Sequence, residues 1–454
     1  MQYLSWPAIV RLGLVQTSLG AIIVLTTSTI NRVMVVELAL PAMLPGFLVA
    51  LHHFVQMSRP RFGYGSDKGG RHIPWIMGGM GVLATGGILA AVATAVMTVS
   101  TSLGVSVAVF AFLMIGLGVG AAGTSLLALL AKRVAPQRRP AAATLVWIMM
   151  IAGFAVTASV AGQFLDPFSP ARLIWVTSVV SIGAFALTCL AVRGLERAPA
   201  PETVLAPTGD AALADKMPDF KAALREIWQE RQARQFTLFV FVSMVAYSAQ
   251  DLILEPYAGL VFGMTPGEST QLAGIQHGGV LLGMLLVAAS GTVARTASYR
   301  LLRWWTVGGC LASGIALLGI AYAGKNVEEW PLTGNVFVLG VANGAFAVAA
   351  IASMMTLAGQ GTKRREGLRM GLWGAAQAIA FALGGFLGTV AVDVMRLLME
   401  QPAAAYATVF TVEAGLFLVA ALLGATIHDR RREATEASGI AFTEVAMNEV
   451  FQKR

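Results

Sequence analysis

The sequence predicts an all-α membrane protein whose twelve transmembrane helices form two pseudo-symmetric halves of six. Three observations predict it: a composition too apolar for water, twelve apolar stretches of spanning length, and a repeat relating the second six to the first. Of 454 residues, 56% are hydrophobic and 12% charged, about half of the roughly 25% charge that soluble domains carry. Mean hydropathy is +0.71. The 49 glycines are many for soluble helices and ordinary for membrane ones. A soluble enzyme, a nucleic-acid-binding domain and a disordered chain are excluded.

The apolar stretches lie at 12–30, 41–57, 75–98, 105–130, 144–164, 173–192, 235–262, 270–290, 304–322, 334–357, 371–392 and 407–427. Each approaches the roughly 20 residues that cross a bilayer core. The net charge is +8, and of 32 Lys and Arg only Arg32, Arg172, Lys325 and Arg396 fall outside if both termini are cytoplasmic. The positive-inside rule then sets that orientation, and the basic balance reports topology rather than a nucleic-acid partner. Cys189 and Cys310 fall in separate spans, and no Cys/His spacing suggests zinc or an iron–sulfur cluster. Arg11 leads directly into a full-length span, so no cleavable leader is expected.

Four segments follow: an N-terminal six-helix half at 1–192, a cytoplasmic linker at 193–234, a C-terminal half at 235–427, and a cytoplasmic tail at 428–454. The linker begins Pro/Ala-rich and flexible. After Pro218-Asp219, Phe220, Leu224, Ile227 and Trp228 recur at helical spacing among Lys221, Arg225 and Arg231. That is a short amphipathic helix, lying on the inner membrane surface or serving as a packed connector. The tail opens with Arg430-Arg431-Arg432 and ends in a frayed terminus or a docking helix.

The halves match in detail. Arg138-Arg139 precede Trp147 by the intervals at which Arg364-Arg365 precede Trp373. Each tryptophan opens a span with a central Phe (Phe154, Phe381) and a closing Asp (Asp166, Asp393). Ser28-x-x-Asn31, followed by Glu37, matches Ser248-x-x-Asp251, followed by Glu255. A parallel pair of six-helix repeats is the major facilitator architecture. The loop after the second span agrees with it. GYGSDKGGRH, from Gly63 to His72, resembles the loop signature of that fold at every position but the last, through Gly63, Asp67, Lys68, Gly70 and Arg71. An Asp near helix ends pairs with bases and dipoles there, while glycines permit the tight turn, so the motif is a conformational latch. The equivalent loop at 291–300 is degenerate.

Ionisable groups within spans are functional candidates by default. Asp251 and Glu255 share a face of the seventh span, and Pro256 is expected to break that helix locally. The pair suits proton coupling, or else pins the halves together by pairing with a base such as Arg32. Glu413 in the last span is a weaker candidate. Gln163, Gln276, Asn343 and Gln377 suit interhelical hydrogen bonds. His52 and His53 in the second span, and His277 in the equivalent eighth, present neutral imidazoles able to ligate the magnesium of a chlorin ring. Gly274, Gly278, Gly279 and Gly283 would let a flat macrocycle approach. The plainer reading is interhelical histidines. No phosphate-binding loop, Gly-x-Ser-x-Gly elbow or Asp-rich prenyltransferase motif occurs, so no enzyme is expected.

Two long stretches carry a resemblance. TTSTINRVMVVELALP, from Thr26 to Pro41, and SMVAYSAQDLILEPY, from Ser243 to Tyr257, resemble the first- and seventh-span signatures of the PucC/LhaA family. These are major-facilitator-type proteins of phototrophic bacteria tied to bacteriochlorophyll and antenna assembly. The compact loop GYGSDKGGRHIPW resembles the branch encoded beside bacteriochlorophyll synthase and geranylgeranyl reductase, some of whose members are called a chain of that synthase. The resemblance implies a carrier in a bacterial cytoplasmic or intracytoplasmic membrane that hands bacteriochlorophyll, or a precursor, to light-harvesting polypeptides. Those polypeptides and the two enzymes would be its partners. It raises His52, His53 and His277 as pigment contacts, and makes Asn31, Arg32, Glu37, Asp251 and Glu255 the functional core. An antenna helix would dock on Gly116-x-Gly-x-Gly120 or Gly384-Gly385-x-x-Gly388, unless these serve internal packing. Two other readings stay open: a proton-coupled transporter of a small amphiphile or tetrapyrrole precursor, and a scaffold that tethers the synthase without holding pigment.

Overall fold

A computed structural model describes residues 3–59, 62, 71–135, 138–195, 225, 228–293, 299–358 and 366–427. Every regular element among them is helical, as a bilayer without competing water requires. The N-terminal half comprises α1 (Trp6–Val36), α2 (Met43–Val55), α3 (Ile73–Met97), α4 (Thr101–Arg133), α5 (Arg139–Gly162) and α6 (Pro170–Val192). The C-terminal half comprises α7 (Arg231–Phe262), α8 (Pro266–Val293), α9 (Tyr299–Ala323), α10 (Leu332–Ala358), α11 (Glu366–Leu398) and α12 (Pro402–Thr426). Each of the twelve expected spans has a helix. Among the described residues eleven helices are long and apolar enough to cross a membrane, and the α-helical part of α2, 13 residues, is shorter than that. Prolines at the first helical turns of α1, α3, α5, α6 and α12 sit where a missing N–H leaves no gap.

The repeat holds in three dimensions. In the first half α1 packs on α5 and α6, α3 on α4 and α6, and α2 on α4. In the second, α7 packs on α11 and α12, α9 on α10 and α12, and α8 on α10. Each half has its own apolar core. The halves meet along two equivalent seams, α2 against α11 and α5 against α8, and α1 meets α7 between them. Arg11 donates to the carbonyls of Ala191 and Arg193 at the end of α6, and Arg303 to that of Ala425 at the end of α12. In each half a guanidinium thus satisfies the carbonyls that close its last helix.

Glycines set the helix separations. Gly116 faces the His52 backbone, and Gly118 faces Gly79 and Leu83. Gly384, Gly385 and Gly388 face Val245, Leu252 and Ala249 of α7. Both glycine-rich faces offered above for an antenna helix therefore pack on this chain's own helices. The glycines near His277 are occupied in the same way: Gly274 lies on Ser159 of α5, and Gly279 and Gly283 on the α10 backbone. Gly278 alone of the four faces open space, with nothing within 4 Å of a Cβ built on it. Gly279→Leu forces α8 off α10 and is expected to cost about 1–3 kcal/mol or more. Gly278→Ala is expected to be neutral or stabilising by up to about 1 kcal/mol. Thermal unfolding in mild detergent compares the two, and equal effects would mean that the α8–α10 contact is not as close as described.

Candidate functional site

In α1 the α-helical pattern gives way at Leu25–Thr29 to one π-helical turn. Thr26 Oγ1 donates to the carbonyls of Ile22 and Ile23, and Thr27 Oγ1 to that of Ile23 (3.0 Å), which holds the bulge together. Such bulges recur at functional sites. Beyond it, Asn31 and Arg32 enter the joint between the halves, 2% and 1% exposed.

Pro256 does not break α7 as expected; the helix runs unbroken from Arg231 to Phe262. Proline lacks the N–H that the Leu252 carbonyl would accept one turn back. Asn31 Nδ2 supplies the missing donor from the opposite half, at 2.7 Å. α7 closes at Gly263, whose φ of 65° is left-handed, with Met264 N–H on the Ala258 carbonyl. Arg32 Nη2 then donates to the Met264 carbonyl (2.6 Å), and Nη1 pairs with Glu37. Gly259 leaves room for this, since a Cβ there would stand 3.0 Å from Nη2. The expectation that Arg32 pairs with Asp251 or Glu255 is therefore corrected: its ion-pair partner is Glu37. These bonds also carry α1 through Arg32 to Val36, beyond the end at residue 30 that hydropathy suggests.

Asp251 is half-buried and Glu255 is 2% exposed. Both Glu255 carboxyl oxygens lack a hydrogen-bond partner among the described residues, as do those of Glu413 in α12. Asn343 accepts from Ser313 (2.8 Å), linking α9 to α10 as expected of an interhelical amide. One turn before Asp251 stands Tyr247, and here the halves share an aromatic array. His52 lies 4.1 Å from His53 between ring centroids, and His53 is 5.6 Å from Phe381. Phe381 lies 5.9 Å from Tyr247, and Tyr247 6.3 Å from Phe346. At the other seam Phe154 meets His277 edge-on at 5.0 Å. Each of the two matched phenylalanines thus faces an imidazole across the interface.

Two of the three imidazoles have a tautomer set by a hydrogen bond. His52 Nδ1 lies 3.0 Å from the Val49 carbonyl and His277 Nδ1 2.8 Å from the Ala273 carbonyl. A carbonyl only accepts, so Nδ1 carries the proton, and in the neutral ring Nε2 carries the lone pair. Metal-ligating histidines characteristically donate their other ring N–H to a carbonyl or carboxylate in this way. His52 and His277 are 1% and 5% exposed, which places them inside the bundle and not on its lipid face. His53 is half-buried beside His52.

Gly63, Asp67, Lys68 and Gly70 of the latch motif lie outside the described residues, as do 218–224 and the tail from 428. Arg71 is exposed just before α3, and His72 is buried at the α3 N-terminus. What sequence reasoning missed is the use of the two closing aspartates. Asp393 at the end of α11 accepts from Ala42 N (3.0 Å) and Met43 N (2.7 Å) at the start of α2. Asp166, beyond α5, accepts from Gly267 N (3.2 Å) and Thr265 Oγ1 (2.6 Å) at the start of α8. Their matched places in the repeat were the available signal.

Residues 29–432 match the family model described as PUCC protein. The "Bacteriochlorophyll synthase 44.5 kDa chain" of Rhodobacter capsulatus is 52% identical over 423 residues, 92% of this chain and 95% of that one. "Protein PucC" of Cereibacter sphaeroides is 30% identical, covering 90% of each. Among solved structures, a D-xylose–proton symporter superposes with a TM-score of 0.72 at 14% identity, over 93% of this chain and 98% of its own. That likeness shows the major facilitator fold.

Arg32→Ala strips a buried pair and a carbonyl cap together. It is expected to destabilise by about 3 kcal/mol, the low end for such a pair, because Glu37 keeps 32% exposure and can turn to water. Arg32→Lys recovers only part, since one ammonium lacks the guanidinium fork. An unchanged unfolding midpoint for Arg32→Ala would remove this residue from the joint.

Proposed function

The chain belongs to the PUCC protein family, and on that premise we propose that it is a membrane assembly factor for bacteriochlorophyll proteins. It takes the pigment, or a late precursor, between its two halves and delivers it to light-harvesting polypeptides. The observation that carries this reading is the aromatic–imidazole array, with two histidines anchored through Nδ1. A chlorin is a flat apolar ring with a Lewis-acidic magnesium. It needs flat aromatic walls, a neutral nitrogen donor and shelter from water, and His52, His53, His277, Phe154, Phe381 and Tyr247 supply groups of those kinds. The relative from Rhodobacter capsulatus bears the name of a synthase chain, and we read the present protein as a partner of that enzyme and of the geranylgeranyl reductase, not as the catalyst.

An absorbance spectrum of the protein purified in mild detergent from a pigmented phototrophic host tests this. Near-stoichiometric pigment bands are expected, weakened severalfold in the His52→Ala/His53→Ala/His277→Ala variant. A colourless, folded, monodisperse wild-type protein would contradict pigment handling and leave the tethering scaffold.

Proton-coupled transport of an amphiphile is the second reading, favoured by the buried, unpartnered Glu255 beside Asp251. It requires a titrating carboxyl. Asp251→Asn and Glu255→Gln, singly and combined, are expected to leave antenna assembly in the host within about twofold. Loss of assembly at normal protein level in either variant would favour transport.

A further inference from the structure

Seven hydrogen bonds between described residues of the two halves lie at the end of the bundle where odd-numbered helices finish and even-numbered ones start. Thr29 and Thr270 share a hydroxyl bond at 3.0 Å. Asn31 and Arg32 donate to the carbonyls of Leu252 and Met264. Asp393 and Asp166 accept the remaining four, at the N-termini of α2 and α8. Five of the seven have a backbone group as one partner.

That composition matters. A gate made of paired side chains can part and rehydrate each partner. Here one partner in five of the seven is a helix-end or helix-interior backbone group, which cannot turn away. The Leu252 carbonyl has no donor of its own because of Pro256, and Asn31 is buried against it. Separation would take from that carbonyl its one protein donor, and water could replace it only once the opening was wide enough to admit it. The two aspartates likewise satisfy the orphan N–H groups of α2 and α8, and they complement the positive helix ends. The arrangement is two-fold, so neither half can swing away by releasing one side alone. Close backbone approach tightens it, with Gly162 of α5 set against Gly267 of α8.

We propose that this end is a fixed hinge, not an alternating gate, and that the Asn31–Leu252 bond is its pin, made necessary by Pro256. The halves rock about it, and cargo reaches the space between them from the opposite face or from the bilayer, never through this end. With the orientation expected from charge asymmetry, the hinge is on the non-cytoplasmic side. The protein is then a one-sided carrier by construction. This goes beyond pigment handling and does not depend on what the cargo is.

Two measurements on the full-length protein in lipid nanodiscs test it. The first is a double-mutant cycle in thermal unfolding. Asn31→Leu is expected to lower the midpoint by about 5 °C. Pro256→Ala restores the N–H that Leu252 needs, so Asn31→Leu in that background is expected to lose at most half as much. Equal losses in both backgrounds would overturn the pin. The second uses spin labels at Val99 and Leu397, which are 90% and 87% exposed at this end on opposite halves, with Cys189 and Cys310 replaced by alanine. One narrow distance population is expected, unchanged between pH 5 and pH 8 and on adding bacteriochlorophyll a. A second population longer by about 10 Å under any of these conditions would overturn the hinge and restore alternating access, even if the pigment spectrum stands. A single population with a colourless protein would keep the hinge while the pigment reading failed.

Discussion

A carbonyl without a donor, deep in a bilayer, is the constraint on which the joint between the halves depends. Pro256 creates that carbonyl at Leu252, and Asn31 answers it from the other half. Once Asn31 is committed there, Arg32 lies along Gly259 and reaches the Met264 carbonyl just beyond α7. Glu37 then balances the buried guanidinium. The two long signature stretches, one in each half, therefore meet directly: Asn31 of the first supplies the donor that the Leu252 carbonyl of the second lacks. The same demand explains Arg11 and Arg303 at the ends of α6 and α12, and the aspartates at the starts of α2 and α8.

The fold was almost fully legible, because spanning length, charge asymmetry and the internal repeat are strong local signals. The joint was legible only in part. Asn31, Arg32, Glu37, Asp251 and Glu255 stood out as polar groups in apolar runs, but their pairing did not. Hydropathy ended the first span before Arg32, since it counts a charge as expelled and cannot see a partner 232 residues away. Pro256 read as a break because the sequence does not show Asn31 beside Leu252. The glycines near His277 read as room for a ligand, whereas three of the four are room for helices. Trp147 and Trp373 match in the repeat, yet one is 39% exposed and the other is buried against Phe236 at 4.8 Å. A repeat preserves position more faithfully than environment.

The functional account reconciles a relative named as a synthase chain with a fold shared with transporters. A carrier requires neither a catalytic group nor a path through the membrane. It requires shelter, a coordinating atom and an opening on one side. In this reading the fold supplies shelter between two rigid halves, the seams supply imidazoles and aromatic walls, and the backbone-built joint confines motion to the far end.

The most direct test of the central claim is the structure of the protein purified from a pigmented host and embedded in nanodiscs. The account predicts macrocycle density between the halves, with its metal in coordination distance of an imidazole nitrogen of His52, His53 or His277. Density only on the lipid-facing surface, or an empty inter-half space in a sample that carries pigment, would contradict it.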